Sequence, residues 1–585
     1  MEKTSDKILR WGAITAAFSV LAAPFIVTNS LLFPYVTGKN FFFRIVTEIG
    51  FAAWLLLAVR NASARPRKSL LLIALLVFLV VVGIADICGV NPWKSFWSNF
   101  ERMEGYITLL HLFLYFIVIG TLFSEKIWKR FWACSVIASV LMSLYGGFQF
   151  LMIRYPVLQR FGLVNQPQLY YRIDATFDNS AYLAAYLIFN IFFAILLCMQ
   201  KRAVPYRLLA GIAIVVDVLV LYCTATRGAI LGFVGGLLLY LVLIDITVQK
   251  SWKRKVSPYV FVAVCIIMIT FVAFRNVAFV KNNPVLSRFS NISWSSDDGR
   301  QFIWPIALRA ITEHPLLGRG QEGFNDAFSA HYDVHFTIEW IDRAHDVVLD
   351  WLVSAGILGV FAYISLFAMA CWLLWKRSAI SNNEKSLFSG LLGAYFIHNL
   401  FTFDTIASYF LFITVLGYIH FEATAQIQPM LGQRKQFRGR DTGPVAIAIA
   451  VVLAFSIYVF NWTAFQTCYS LVAAQHAMDA GNLPQTLSAF ERALSHSHTL
   501  GREEVVDRLL DAAPRMNSPS VTPDTREAFF EMAKKAVEAQ VAGDPGYLRY
   551  EVVASRFYAA FGKKGEEEKY LKRAAELLTR QQKGR

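Results

Sequence analysis

The sequence predicts an all-α fold, a polytopic membrane helix bundle followed by a C-terminal helical repeat domain. Of its 585 residues, 56% are hydrophobic and only 17% are charged, which is too apolar for a soluble protein of this length. Runs of about 20 apolar residues, long enough to cross a bilayer, recur as far as residue 465. Residues 466–585 are instead charged and carry weakly repeated helical patterns.

Thirteen apolar runs are predicted to span the membrane, about twelve in the main body and one after it. The body covers residues 1–422, a basic linker covers 423–443, and the last span covers 444–465. The first run lacks a small-residue cleavage site, so we expect a retained helix rather than a removed signal peptide. The predicted spans are roughly 8–33, 40–60, 68–88, 105–123, 128–152, 179–199, 205–224, 227–246, 257–277, 346–374, 386–402, 404–422 and 444–465.

The positive charge of the chain follows the predicted topology. A net charge of +15 could indicate a nucleic-acid partner, but Lys and Arg concentrate in alternate short connections between the spans. These connections are predicted to be cytoplasmic, together with the N-terminus, because cytoplasmic loops carry an excess of Lys and Arg. The loop 278–345 and everything after about residue 466 are then extracytoplasmic. The basic connections lie near residues 60–68, 126–130, 201–207, 250–255, 376–385 and 434–440.

Residues 278–345 form the only long hydrophilic excursion within the predicted body. Within it, Ile303, Ile306 and Ala310 recur at helical spacing, and Pro305 is tolerated in a first helical turn. We therefore expect a short amphipathic helix that lies on the membrane surface.

Two segments of the C-terminal region, 473–494 and 553–578, resemble tetratricopeptide repeats. Small residues at fixed spacing permit close pairing of helices, and a glycine turns each pair. The stretch between the two segments is less regular, and a generic helical bundle is the alternative. The sequence therefore predicts a tetratricopeptide-like helical domain over residues 466–585.

The candidate catalytic residues lie at the outer ends of two spans. His345 and Asp346 directly precede the apolar run that begins at Val347. Free backbone N–H groups at a helix start favour anions, Asp346 is a suitable N-cap, and an imidazole can accept a proton near neutral pH. The alternative is a solvated histidine at the membrane boundary.

Arg227 is the second candidate, and it lies between two spans joined by almost no loop. A charge so close to hydrocarbon should face protein or a polar cavity, and the guanidinium fork suits a diphosphate. The alternative is an arginine that reaches out to the lipid headgroups.

Further polar residues on this face are candidates for holding the same anion. Arg300 ranks first among the cations, ahead of Arg172 and Arg102. His398 and Asp404 form a second polar cluster at the outer junction of two spans. No metal or cofactor is expected, because Walker, dinucleotide and zinc-ligand patterns are absent from the sequence. The complete set of additional outer-face arginines is Arg102, Arg172, Arg300, Arg319 and Arg343.

Taken in order, these motifs resemble the O-antigen ligase and polymerase superfamily of polytopic glycan transferases. Arg227 to Leu231 match the pattern Arg-x-x-x-Leu, and His345, Gly356 and Gly359 match a histidine followed by Gly-x-x-Gly. The resemblance covers roughly residues 10–422. This chain departs from the family in having Asp346 where Asn, Ser or Gln is usual. Stretches that also resemble the family are Arg102–Gly105, Phe177–Ser180, Arg300, Trp304, His314–Gly318 and Phe324.

The resemblance implies a GT-C-type membrane glycosyltransferase of twelve spans in the bacterial cytoplasmic membrane. It implies a metal-independent, inverting transfer of a glycan from undecaprenyl diphosphate to an acceptor hydroxyl at the outer face. By the same resemblance, His345 is the general base, and Arg227 and Arg300 hold the diphosphate. Arg172, Arg102, Arg343, His398 and Asp404 are the remaining substrate-binding candidates.

The acceptor and the protein class leave alternatives open. The acceptor could be a lipid, a protein hydroxyl in an oligosaccharyltransferase, or the growing glycan in a polymerase. The C-terminal repeats favour a ligase with a docking domain for the acceptor or an envelope protein. A polytopic transporter or flippase, or a scaffold, is the alternative class. The polar residues collect on the outer side without an inverted repeat, which favours an enzyme.

Overall fold

The computed structural model describes residues 4–161, 172–200, 204–248, 252–283, 285–290, 299–331, 341–425, 442–543 and 546–583. All regular secondary structure in these ranges is helical, so the predicted all-α class is confirmed. Most of the predicted basic linker, residues 426–441, lies outside the described residues, as do the predicted cytoplasmic cations Lys201, Arg202 and Lys250.

The described helices fall into a membrane body, an outer loop and a C-terminal region. The body begins with α1 (Thr4–Ser19), α2 (Thr37–Arg60), α3 (Leu70–Cys88), α4 (Pro92–Trp97), α5 (Tyr106–Leu122), α6 (Glu125–Arg154), α7 (Ser180–Met199), α8 (Val204–Cys223), α9 (Arg227–Thr247) and α10 (Trp252–Phe274). The outer loop holds α11 (Ala278–Asn282), α12 (Ser287–Ser290), α13 (Arg300–Glu313) and α14 (Phe324–Ala330). The body ends with α15 (Val347–Lys376), α16 (Asn382–Asn399), α17 (Ile406–Thr424) and α18 (Gly443–Ile457). The C-terminal region holds α19 (Thr463–Asp479), α20 (Leu483–His496), α21 (Arg502–Met516), α22 (Pro523–Gly543), α23 (Leu548–Ala560) and α24 (Lys564–Lys583).

Eleven helical segments of the described chain are long and apolar enough to cross a membrane, and each corresponds to a predicted span. The two other predicted spans are also helices. α5 is apolar but has only 17 residues, and α16 begins with a polar first turn. The last of the eleven segments, Gly443–Asp479, runs without a break from α18 into α19. The protein is therefore a multi-pass membrane protein.

Small residues let α9 and α16 pack closely. A Cβ atom on Gly236 would lie 2.4 Å from the Cβ of Ala394 and 2.4 Å from the carbonyl oxygen of Gly390. A Cβ on Gly232, one turn away, would lie 2.6 Å from the carbonyl oxygen of Ala394. Small residues four apart on both helices permit such an approach inside a membrane. The pairing places Arg227, the first residue of α9, beside the end of α16.

A break at Gly356 divides α15 into two helical parts. Gly356 has φ 64° and ψ −165°, a conformation open only to glycine. The outer-loop segment 315–320 fits into this break through backbone hydrogen bonds. The Arg319 N–H donates to the carbonyl of Val353 at 2.7 Å, and the Ile357 N–H donates to the carbonyl of Pro315 at 2.9 Å.

The two crossing segments approach so closely that each requires a glycine. A Cβ on Gly356 would lie 2.3 Å from the carbonyl carbon and oxygen of Leu316. A Cβ on Gly318, whose φ is 66°, would lie 2.5 Å from the carbonyl oxygen of Val353. Gly318 and the motif residue Gly356 therefore hold the outer loop against the helix that follows His345.

The amphipathic helix predicted in the outer loop is present as α13, with Pro305 in its second turn. Its apolar face packs against α14 and against Val353 of α15. Protein therefore covers this apolar face, and the expectation that the helix lies on the membrane surface stays a prediction. The buried residues of that face are Ile303, Ile306, Ala307 and Ala310.

The C-terminal region forms a helical unit with its own apolar core. α19 pairs with α20, and α23 pairs with α24. Leu509, Phe529 and Phe557 are fully buried in the shared core. The helical character is as predicted, whereas the tetratricopeptide assignment stays a prediction.

Replacement of Gly356 by alanine is expected to destabilise the protein by more than about 2 kcal/mol, because the new Cβ clashes with Leu316 in a backbone conformation that costs alanine roughly 1–3 kcal/mol. Thermal unfolding of the detergent-solubilised protein measures this as a lower midpoint. Gly147→Ala is the control, because that α6 position has open space around it and should be neutral or slightly stabilised. Equal midpoints for the two variants would contradict the argument.

Candidate functional site

The candidate site forms around the short connection 400–405 between α16 and α17. Arg300 donates a hydrogen bond to the carbonyl of Phe401 at 2.8 Å, and its guanidinium carbon lies 5.7 Å from the Phe401 ring centre. On the α9 side, a Cβ on Gly228 would lie 2.6 Å from the Cβ of Phe401. The ring of His345 packs edge-on against Phe403 at 5.3 Å. The connection thus brings the predicted residues Arg300 and His345 together with the start of α9.

The backbone around His345 is held in an uncommon conformation. Its φ is 56°, a region that non-glycine residues rarely occupy. Both backbone groups of the preceding Ala344 are fixed: its N–H donates to Asp350 at 2.6 Å, and its carbonyl accepts from the Trp304 indole at 3.2 Å. Such a conformation persists where the surroundings determine it, which is typical of functional sites.

The hydrogen bonding of His345 suits a proton acceptor. Nδ1 lies 3.1 Å from the carbonyl oxygen of Arg343, which can only accept, so Nδ1 carries the proton and Nε2 holds the lone pair. Burial lowers the pKa of His345 below its usual value, and the charges of Arg102 and Arg300 lower it further. The Arg343 carbonyl and the Asp342 carboxylate oppose this shift. The imidazole is therefore neutral at pH 7.

Asp346 caps α15, as predicted. Its carboxylate accepts from the backbone N–H groups of Val348 at 2.9 Å and Leu349 at 3.0 Å. Burial raises the pKa of this carboxyl, and these bonds and the Arg300 charge oppose the rise. The carboxylate with a marked effect on the pKa of His345 is Asp342. Asp346 thus supports the start of α15.

Arg172 donates hydrogen bonds to the turn that precedes α9. Its Nε donates to the carbonyl of Thr224, and a terminal nitrogen donates to the Thr226 hydroxyl, both at 3.0 Å. Ala225 between them has φ 50°, so the turn is tight. The structure thus places Arg172 next to half-buried Arg227 and fixes the turn on which Arg227 sits.

Arg102 and Arg343 are engaged in ion pairs with the protein itself. Arg102 binds Asp342 through two nitrogens, at 2.5 and 3.0 Å. Burial alone would raise the pKa of Asp342, but the Arg102 guanidinium outweighs it and lowers the pKa to about 2. Arg343 is buried and pairs with Glu104 at 3.0 Å and Glu322 at 3.1 Å. These two arginines therefore fix the segment that leads into His345.

The predicted residues His398 and Asp404 are buried among groups other than the His345 ring. His398 is buried where α16 meets Gly232 of α9, and its Nδ1 has no hydrogen-bond partner. Asp404 is buried and closes the α16–α17 connection. The hydroxyl and amide groups that donate to its carboxylate belong to Tyr363, Tyr395, Asn399 and Ser408.

The predicted outer-face residue Arg319 and Asp217 of α8 also have structural partners. Arg319 pairs with Glu313 and Asp326 in the outer loop. Asp217, in the middle of α8, accepts hydrogen bonds from Ser139 at 2.7 Å and Ser143 at 2.6 Å. These partners satisfy Asp217 within the membrane body.

Sequence reasoning missed the carboxylates and rings that organise the site. Glu104, Glu322 and Asp342 neutralise the arginines, and Phe401 and Phe403 form the surface on which the site is built. A local signal existed only for Asp342 and Glu104, which lie next to or two residues from an arginine in the chain. Their true partners lie about 240 positions away.

Replacement of Asp342 by asparagine is expected to lower the pKa of His345 further, because the carboxylate that favours the protonated ring is lost and Arg102 stays charged. The pH midpoint of His345 modification by diethyl pyrocarbonate, read by mass spectrometry of its peptide, reports this pKa. Asp346→Asn retains an N-cap and is the control, with a smaller shift expected. An upward shift in Asp342→Asn would contradict the assignment.

Comparison with known proteins points in the same direction as the geometry. Residues 212–364, about a quarter of the chain, match the family model described as O-Antigen ligase (Wzy_C). The matched range contains Arg227, Arg300, His345 and Gly356. No curated protein matches the chain. The family match and the membrane helices together support a membrane glycosyltransferase-like enzyme of the glycan ligase or polymerase type.

Proposed function

We propose that this protein transfers a glycan from undecaprenyl diphosphate to an acceptor hydroxyl at the outer face of the bacterial cytoplasmic membrane. The observation that carries the proposal is the convergence of the His345 imidazole, Arg300 and the Arg227 end of α9 on the connection 400–405. Glycan transfer from a lipid diphosphate needs a base for the acceptor and cations for the leaving group.

His345 acts as the general base in this proposal. Because Nδ1 donates to the Arg343 carbonyl, Nε2 is the nitrogen that takes the proton of the acceptor hydroxyl. Burial keeps the ring neutral before the reaction, and Asp342 stabilises the imidazolium that forms. The edge-on contact with Phe403 holds the ring plane in place.

Arg227 and Arg300 hold the diphosphate as its negative charge develops. A guanidinium presents a planar fork of donors that matches phosphate oxygens. The start of α9 adds backbone N–H groups and the positive end of the helix dipole. Attack from the His345 side, opposite the diphosphate, inverts the anomeric carbon and needs no metal. Arg172 contributes by fixing the turn before Arg227.

A ligase is favoured over a polymerase because the helical C-terminal unit packs beside the outer segment 91–104. That position suits a domain that receives an acceptor or an envelope protein. The same chemistry serves a polymerase or an oligosaccharyltransferase with a different acceptor, so acceptor identity decides among them.

The proposed orientation places the outer loop and the C-terminal unit outside the cytoplasm. Ser520→Cys, in an exposed turn of that unit, is expected to react with a membrane-impermeant maleimide in intact spheroplasts. Ala379→Cys, exposed between α15 and α16, should react only after lysis. The unsubstituted protein supplies the background from the natural cysteines. The reverse pattern would contradict the orientation.

The proposed chemistry predicts that His345→Ala lowers the turnover rate about 10²–10⁴-fold, the usual contribution of a general base. Arg227→Ala should also abolish most transfer. Purified protein would be incubated with undecaprenyl diphosphate-linked glycan and a panel of lipid and protein acceptors. His476→Ala, at an exposed position of α19, is the control and should transfer normally.

The products of this assay decide among the alternatives. Labelled acceptor, lost in both variants, supports a ligase or an oligosaccharyltransferase according to the acceptor. Longer lipid-linked glycan without labelled acceptor indicates a polymerase. Full activity of His345→Ala in a correctly inserted protein would refute the general-base role.

A further inference from the structure

The C-terminal helical unit packs against an outer segment of the membrane body, residues 91–104. Lys94 pairs with Glu503 at the start of α21 at 2.7 Å, and both side chains are largely buried. The Phe100 N–H donates to the Glu504 carboxylate at 2.6 Å. The Trp93 indole donates to the carbonyl of Thr499 at 3.2 Å.

The fit between these two parts is tight as well as polar. Gly501 has φ 100°, and a Cβ there would lie 2.4 Å from the ring of Phe100. Phe100 is fully buried, in an apolar cluster with Cys468 and Leu500 of the C-terminal unit and Trp97 of α4. The contact therefore combines charge, backbone hydrogen bonding and close packing.

The segment 91–104 also contacts Glu322, which binds Arg343 beside the candidate site. Ser98 and Asn99 donate to the two oxygens of Glu322, at 2.9 and 3.2 Å. The Glu322 side chain is completely enclosed, and Arg343 donates to it at 3.1 Å. Ser98 and Glu322 have φ values of 66° and 60°, so these bonds maintain two uncommon backbone conformations.

The same segment reaches the two residues that precede Ala344 and His345. The Asn99 side chain accepts from the Arg102 N–H at 2.9 Å, and Arg102 then binds Asp342 through two nitrogens. Glu104 binds Arg343. A continuous series of polar contacts thus runs from α21 to the backbone that carries the imidazole.

We propose that the C-terminal helical unit positions the catalytic residue His345. In this proposal Lys94, Glu503 and Glu504 are positioning residues, and they act on the backbone of the His345 segment through residues 98–104. This inference rests on the proposed function of His345. The unit would then have a second role beside docking of an acceptor. Loss of the contacts between this unit and residues 91–104 would move the Arg102–Asp342 ion pair and change the charge around the His345 imidazole.

The test compares substitutions that remove each contact with substitutions that retain it. Glu504→Leu removes the acceptor for the Phe100 N–H, whereas Glu504→Gln retains one. Lys94→Met removes the charge that pairs with Glu503, whereas Lys94→Arg retains it. We expect Glu504→Leu and Lys94→Met to lower kcat about tenfold or more with little change in the donor KM, and the retaining variants to stay within about threefold.

The exposed pair Arg515–Asp479, at 2.7 Å within the C-terminal unit, supplies the matched control. Arg515→Met removes an ion pair of the same unit without touching residues 91–104, and we expect kcat to stay unchanged. Thermal unfolding of every variant in detergent identifies any that fail to fold.

A second readout is independent of turnover. The pH midpoint of His345 modification by diethyl pyrocarbonate should shift in Glu504→Leu and stay at the parent value in Glu504→Gln. A folded Glu504→Leu protein with parental kcat and a parental midpoint would overturn the proposal. If His345→Ala is fully active while the midpoint shifts, the proposed function fails but the positioning of the His345 segment by the C-terminal unit stands.

Discussion

The insertion of segment 315–320 into the break of α15 is the constraint on which the candidate site and the loop 278–345 depend. Backbone hydrogen bonds join the two segments, and glycine at 318 and 356 is the only residue type that permits the approach. Buried backbone N–H and C=O groups need hydrogen-bond partners, and the crossing segment supplies them where α15 is broken. The crossing ties the outer loop, and α13 with it, to the helix that begins just after His345.

The candidate arginines divide into two kinds according to where they lie. Arg102 and Arg343 are paired with carboxylates in a largely buried network, where loss of one partner typically costs about 3–5 kcal/mol. Arg227 and Arg300 flank Phe401, one at the start of α9 and one on the outer loop. The first pair keeps the backbone of the site in place, and the second pair is the better candidate for a phosphate ligand.

Much of the architecture follows from patterns that are local in the sequence. The apolar runs, the N-cap at Asp346 and the helix around Pro305 depend on residues within a few positions of one another. The partners of α13 could not be predicted, because periodicity shows that a helix has an apolar face without showing what covers it. α14 and α15 cover that face, and both lie outside the periodic segment from which α13 is predicted.

The sequence by itself determined the membrane class, the approximate helices and the residue types capable of glycan-transfer chemistry. Hydrophobic run length and motif order are sufficient for these, because they report local propensity and composition. Only the tertiary structure decided that Arg102 pairs with Asp342, that Glu322 is enclosed, and that α21 reaches residues 94–100. Those contacts join residues 224, 240 and 409 positions apart, and no local pattern encodes which distant residues meet.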